Sequence, residues 1–309
     1  MQLIRGVHNI RPADHGCVAT IGNFDGVHLG HAEIIKRLHR LKRELGVPTA
    51  VVVFEPQPAE YFARERPPPR LSRLREKFRL LAARGVDRLV VLRFTPALAA
   101  LDPERFVAEI LVGKLGIRAL IVGDDFRFGQ GRAGDTAVLQ RLATAHGFRL
   151  EQTQPFLFIG KRISSTYVRK LLRDGYLKEA ERMLGHPYSI EGRVVHGHKQ
   201  GRGWGFPTIN LDLHRRRSAV SGIFAVTVHG LVERGWPGVG YVGSRPTIAD
   251  PRWVLEVHLF DYAADCYGAH VSVRFVDKIR EDIKFESFAA MAEQIGRDSA
   301  VARRILGCG

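Results

Sequence analysis

Two hydrophobic rhythms divide the chain. In the first half, short and mostly apolar runs, 17–21 (CVATI), 49–54 (TAVVVF), 88–92 (RLVVL) and 118–122 (RALIV), with a weaker strand signal near 148–153, are separated by longer stretches of helical periodicity. A strand without alternation buries both its faces, as in a parallel sheet covered by helices on each side. Residues 31–45 place Ile34, Leu38, Leu41 and Leu45 on one helical face. Asp102, Pro103 and Glu104 then supply an N-cap, a first-turn proline and an early acid for another helix. Strands alternating with helices predict an α/β, Rossmann-like domain with a parallel sheet, whose ligands sit at the carboxyl ends of the strands.

Beyond about residue 185 the period falls to two. Runs at 188–195, 222–229, 238–242, 253–260 and 270–276 are punctuated by Gly and Pro, and 285–306 reads as a closing helix. That pattern predicts a small antiparallel β-barrel or sandwich. The change of rhythm near Gly185-His186-Pro187 predicts two domains, 1–185 and 186–309.

Composition narrows the picture. A chain of 309 residues can bury two cores, and 45% hydrophobic with 26% charged residues is a globular balance. No apolar run approaches the roughly 18 residues of a membrane span, and MQLIRGVHNI lacks the basic-then-apolar pattern of a secretion signal. Cys17, Cys266 and Cys308 are too few and too scattered for a disulfide framework or a zinc site, which points to a cytoplasmic protein. The net charge of +15 attracts anions. Basic residues are spread along the chain, however, and the densest run, His214-Arg215-Arg216-Arg217, has no zinc-finger spacing, RNA-binding aromatic signature or heptad zipper beside it. Phosphorylated small molecules are therefore expected partners, and nucleic acid and membranes are not.

Candidate chemistry lies in five segments. TIGNFDGVHLGH (20–31) ends an apolar run and enters a helix. Gly22, Gly26 and Gly30 allow close backbone approach, and the helix start offers free N–H groups to a phosphate. His28 and His31 can both donate to charge developing there, although a tight turn with two surface histidines would read alike. In ISSTYVR (163–169), Ser164 and Ser165 are N-cap types and Arg169 lies one turn on, which suits a polyphosphate or an ordinary capped helix. In GDDFRFGQGRAGD (123–135), Phe126 and Phe128 can stack on a flat ring or fill a buried turn. GRGWGFPTINL (201–211) is a second glycine-dense anion loop, and Thr208 and Asn210, two apart on an extended segment, offer two neutral oxygen ligands of the kind Mg²⁺ accepts beside a nucleotide. Glu256, between apolar neighbours in WVLEVHLF, is either a base for activating a hydroxyl or a solvated strand residue.

In this order, GNFDGVHLGH, GDDFRFG, ISST, GFPTIN, GIFAVTV, VGSRPTI and LEVHLFDY resemble the bacterial bifunctional riboflavin kinase/FAD synthetases, from about residue 16 to the end. The resemblance implies an HxGH nucleotidyltransferase domain that transfers AMP from ATP to FMN, giving FAD and pyrophosphate, and a flavokinase domain that makes FMN from riboflavin and MgATP. It implies that His28 and His31 stabilise the α-phosphoryl transition state, and that Gly22, Asn23, Phe24, Asp25, Gly26 and Gly30 line the nucleotide pocket. Ser164, Ser165, Thr166 and Arg169 would hold pyrophosphate. Phe54 and Pro56 of FEPQP, with Asp125, Phe126 and Phe128, would hold flavin. In the second domain Gly201, Gly205, Pro207, Thr208 and Asn210 would bind ATP, Thr208 and Asn210 would hold Mg²⁺, and Glu256 would take the ribityl proton. Gln57 stands where the family commonly has His, Tyr241 where it often has Asn, and His198 where it is often acidic. HxGH alone also fits a cytidylyl or phosphopantetheine transferase, and the charge alone fits a nucleic-acid-binding protein.

Overall fold

The computed structural model describes residues 1–63, 65–196, 208–213, 215, 217–244 and 253–308. Contacts divide the chain into two compact units, Met1–Pro68 with Ser72–Ser164 and Pro69–Leu71 with Ser165–Gly309.

In the first unit the five expected strands appear as β2 (Cys17–Ile21), β3 (Thr49–Glu55), β4 (Arg88–Arg93), β5 (Ile117–Gly123) and β6 (Arg149–Thr153). A sixth, β1 (Gln2–Arg5), adds an edge. It carries only one buried side chain, Ile4, so periodicity could not announce it. The order is β1-β4-β3-β2-β5-β6, parallel throughout. Alternate residues serve opposite layers: Cys17, Ala19 and Ile21 pack with Phe106, Leu111 and Leu139, while Val18 packs with Ile35, Leu38 and Leu41 of helix α1 (Leu29–Leu45). The buried stripe of α1 is thus Ile35, Leu38 and Leu41, and Leu45 of the expected stripe is exposed beside the left-handed C-cap Gly46. The short helices α2 (Pro58–Phe62), α3 (Leu74–Ala82) and α4 (Pro96–Ala99) follow in chain order. Asp102 caps α5 (Pro103–Arg105) by accepting from the Arg105 N–H at 2.7 Å, and the chain continues as a π-helix over Phe106–Lys114. Helix α6 (Thr136–His146) leads into β6, and β7 (Leu157–Phe158) with β8 (Lys161–Arg162) forms a small hairpin.

The second unit is a barrel rather than a sandwich. Strands β9 (Ser189–Val195), β10 (Thr208–Asp212), β11 (Gly222–His229), β12 (Trp236–Ser244), β13 (Trp253–Leu259) and β14 (His270–Arg280) close in the order β10-β13-β12-β11-β14-β9. Leu211, Phe224, Val226, Leu255, Val257 and Phe275 are fully or nearly fully buried at alternate positions. Helix α9 (Phe288–Leu306) lies over the outer face, with Ala302 in a cluster with Ile223, Ala225 and Val239. It is fastened by Asp298, which accepts from Arg280 Nε at 3.0 Å and Nη2 at 2.7 Å. Helices α7 (Ser165–Arg173) and α8 (Leu177–Leu184) group with this unit, so the compact units divide after Ser164 and not after 185. The reason is burial: α8 packs on β14, with Ala180 and Leu184 inaccessible and Arg274 paired to Glu181 at 3.2 Å. Arg215, in the densest basic run, is itself buried, and its Nη1 donates to the Arg70 carbonyl at 3.1 Å, so this cation supports the unit instead of facing outward.

No helix of the described residues is long and apolar enough to cross a membrane.

Candidate active sites

The first site forms where β2 leaves the sheet. Gly26 has φ 77°, and two residues with side chains share the left-handed region, Phe24 at 45° and Val27 at 41°. Such conformations cost free energy and persist where the surroundings enforce them. Here Phe24 and Val27 are buried in the core, and Asp25 ties the loop to a distant residue. The Asp25 carboxylate accepts from the Ser72 N–H at 2.9 Å and from the Ser72 hydroxyl at 3.4 Å, while the Gly26 N–H donates to Ser72 Oγ at 2.9 Å.

This loop delivers His28 to the N-cap of α1, with an extended backbone and no side-chain capping bond, so the first-turn amides and the positive end of a long helix face the loop. The rings of Phe24, His31 and His28 stack in that order. His31 lies 4.5 Å from Phe24 and 3.7 Å from His28, centroid to centroid, at interplanar angles of 26° and 16°. Gly30 makes this possible: a Cβ there would come within 3.2 Å of the His28 ring and 3.8 Å of the Ile163 carbonyl oxygen. Burial first, then the neighbouring His28 and the cations of Lys77 and Arg84, hold the His31 imidazole well below its ordinary pKa. It is therefore neutral at pH 7, and its buried Nδ1 has no hydrogen-bond partner among the described residues.

Of the other residues expected at this site, most of those in the first unit lie at or just after the carboxyl ends of β2, β3 and β5. Phe54 stands edge-to-face with Phe94, centroids 5.6 Å apart, just before the cis Glu55–Pro56 peptide. Gln57 is buried, with its Nε2 unpartnered among the described residues. Phe128 is a core residue lying over Gly134, and half-buried Phe126 stacks on it at 5.5 Å. Asp125 is exposed and pairs with Arg162 at 3.1 Å, as Asp124 does at 3.0 Å. Asn23 is exposed and Gly22 half-buried. Ser165 and Thr166 open α7, and Arg169 Nε donates to the Pro69 carbonyl at 2.7 Å, all within the second unit.

Two residues carry weight that no motif announced. Ser72 precedes α3 and resembles an ordinary helix-start serine. Lys77 is nearly inaccessible, and its signal is positional, since it occupies the i+3 place of the apolar stripe Leu74, Phe78, Leu81.

The second site is a row across the barrel's outer face. Asn210 on β10 is paired with Glu256 on β13, and Glu256 with Tyr241 on β12; one step along, Thr208 pairs with His258. Directly paired residues present their side chains on the same face about 5 Å apart, so Thr208, Asn210, Glu256, His258 and Tyr241 share one surface. All five are half-exposed while their strand neighbours fill the barrel. A hydroxyl, an amide carbonyl and a carboxylate are hard oxygen donors and fit Mg²⁺ with a nucleotide's phosphates, while the described residues hold no cluster of His, Cys, Asp and Glu for a softer metal. Gly201, Gly205, Pro207 and His198 lie outside the described residues.

Known proteins agree with both halves. The FAD synthetase family pattern matches residues 10–167 and the riboflavin kinase pattern residues 184–306. The bifunctional riboflavin kinase/FMN adenylyltransferase of Escherichia coli K12 is 49% identical over 308 residues, covering 99% of this chain and 98% of its own. The enzyme of the same name from Pseudomonas fluorescens is 47% identical, with 99% and 98% covered. A Streptococcus pneumoniae crystal structure described as a macrolide-efflux protein superposes with a TM-score of 0.81 at 28% identity, covering 98% of this chain and 99% of that one. The chain belongs to the bifunctional riboflavin kinase/FMN adenylyltransferase family.

Proposed function

We propose that the two reactions of this riboflavin kinase and FMN adenylyltransferase are carried by the two sites just described, adenylyl transfer by the His28–His31 loop and riboflavin phosphorylation by the Glu256 row. In the first, an FMN phosphate oxygen attacks the α-phosphorus of ATP in line, and the bond to the β-phosphate breaks to release pyrophosphate. The helix amides and the two imidazoles stabilise the charge on the transferring group, and no covalent enzyme intermediate is needed. Gly22, Asn23, Phe24, Asp25 and Gly26 shape the nucleotide side of the loop, with Asp25 acting through Ser72. Ser164, Ser165, Thr166 and Arg169 take the leaving pyrophosphate by the family pattern. Phe54, Pro56, Asp125 and Phe126 border the flavin, with Phe128 supporting Phe126 from the core.

In the second reaction Glu256 accepts the proton of the terminal ribityl hydroxyl as that oxygen attacks the γ-phosphorus of ATP and ADP leaves. Thr208 and Asn210 would hold Mg²⁺, which supplies charge neutralisation on the phosphates, and Gly201, Gly205 and Pro207 complete the ATP loop by the family pattern. What carries the reading is the pairing of Asn210 with Glu256, which puts a phosphate-side ligand and a base next to each other on one face.

The test is incubation with riboflavin and MgATP followed by separation of riboflavin, FMN and FAD. FMN should rise first and FAD after it. FMN without FAD would leave only the kinase assignment, and neither product would overturn both.

A further inference from the structure

Tyr241 takes part in no step above, yet its surroundings are built for it. It stands on the outer face next to Glu256 and packs against the apolar cluster under α9. Its ring runs along its own strand over Gly243, where an added Cβ would collide with the phenol oxygen and ring. Only glycine at 243 leaves the ring this path. At its end the hydroxyl donates to Asp282 Oδ2 at 3.0 Å. Asp282 is the second residue of the segment between β14 and α9, two residues after Arg280, whose guanidinium is committed to Asp298. That segment shows solvent the apolar side chains Ile283 and, at the start of α9, Phe288, with Phe285 under the Arg280 guanidinium at 5.7 Å.

We propose that Tyr241 is a positioning residue of the riboflavin kinase step: its bond to Asp282 pins the segment between β14 and α9 to the strand that pairs with Glu256, where that segment helps hold riboflavin. The inference rests on placing the kinase step at Glu256. Tyr241 touches no reacting atom in this account. Its loss releases a wall of the site and leaves the phosphoryl-transfer groups in place, so it acts on substrate affinity and not on the chemical step. The pair is exposed to water, which limits the effect.

Tyr241→Phe removes the hydroxyl and keeps the ring over Gly243, so the barrel face survives. In the full chain it should raise the riboflavin KM about three- to tenfold with kcat within about twofold, the scale of one solvent-exposed hydrogen bond. Asp282→Ala should match it, the double variant should be no worse than either single one, and Asp282→Asn, which keeps an acceptor oxygen, should restore most of the affinity. Adenylylation of supplied FMN should proceed at the full rate. An unchanged riboflavin KM in Tyr241→Phe, effects that multiply in the double variant, or a fall in kcat at constant KM each overturns the proposal. Failure of Glu256 as the base is read separately, from kcat of Glu256→Gln.

Discussion

The loop from Gly22 to His31 and the row from Asn210 to Tyr241, to which we assign the two displacements at phosphorus, have opposite construction. The loop leaves regular structure, holds two side-chain-bearing residues in the left-handed region, and takes its shape from a residue far along the chain, Ser72. The row stays within regular strands, and its side chains are aligned by the ladder itself. In a site made from a ladder, loss of one side chain leaves the neighbouring strand residues in place, and only what that side chain held from outside the strands, such as Asp282, is released. A site made from a strained loop depends on its fastenings, so residues without chemistry of their own control it.

This contrast is sharpest if each half-reaction is measured on each variant. The largest effect is expected at Glu256. Glu256→Gln keeps strand and size but not the basic carboxylate, and riboflavin phosphorylation should fall by a factor on the order of a hundred to ten thousand. Supplied FMN should be adenylylated normally; unchanged FMN production would remove Glu256 from the mechanism. Next, His28→Ala should lower FAD formation by on the order of a hundredfold or more, the usual cost of a transition-state donor, with FMN formation nearly intact. Equal loss of both activities would break the assignment to separate sites.

Ser72→Ala tests the fastening rather than the chemistry. It takes an acceptor from the buried Gly26 N–H and one donor from Asp25. One buried hydrogen bond fewer costs about 0.5–1.5 kcal/mol, and FAD formation should fall by up to roughly tenfold as the loop loosens. FMN formation should not change. A variant with wild-type FAD formation would show that the strained loop holds itself without Ser72.

These expectations also mark what could be read without coordinates. Strands buried on both faces and strands of period two were legible because burial writes itself into the pattern, and β1 was not because only Ile4 is covered. His28, His31, Thr208, Asn210 and Glu256 were legible as residue types at suggestive spacings. The stacking of His31 between Phe24 and His28 was not, because spacing sets which residues are neighbours and not how their rings meet. Ser72 and Lys77 were hidden for a different reason: their importance comes from tertiary approach. Phe128 shows the converse, a residue whose motif suggested a ligand surface and whose burial over Gly134 makes it part of the core.

Stability rather than activity reports on the ring stack. Burial and its cationic neighbours hold His31 well below its ordinary value of 6.5. Above about pH 6.5 the imidazole is neutral in both folded and unfolded chains and contributes nothing to pH dependence. Below it the unfolded chain takes up a proton that the folded chain refuses, so stability falls as the pH drops, by up to about 1.4 kcal/mol per unit, until the lowered folded value is reached. His31→Phe keeps a ring between Phe24 and His28 but does not titrate. Its unfolding free energy, measured on the full chain by urea titration between pH 5 and 8, should decline less steeply than wild type below pH 6.5 and run parallel to it above. The difference between the two curves reports the titration of His31 together with its coupling to His28 and Lys77, and curves parallel across the whole range would mean that His31 takes up its proton in the folded chain as readily as in the unfolded one.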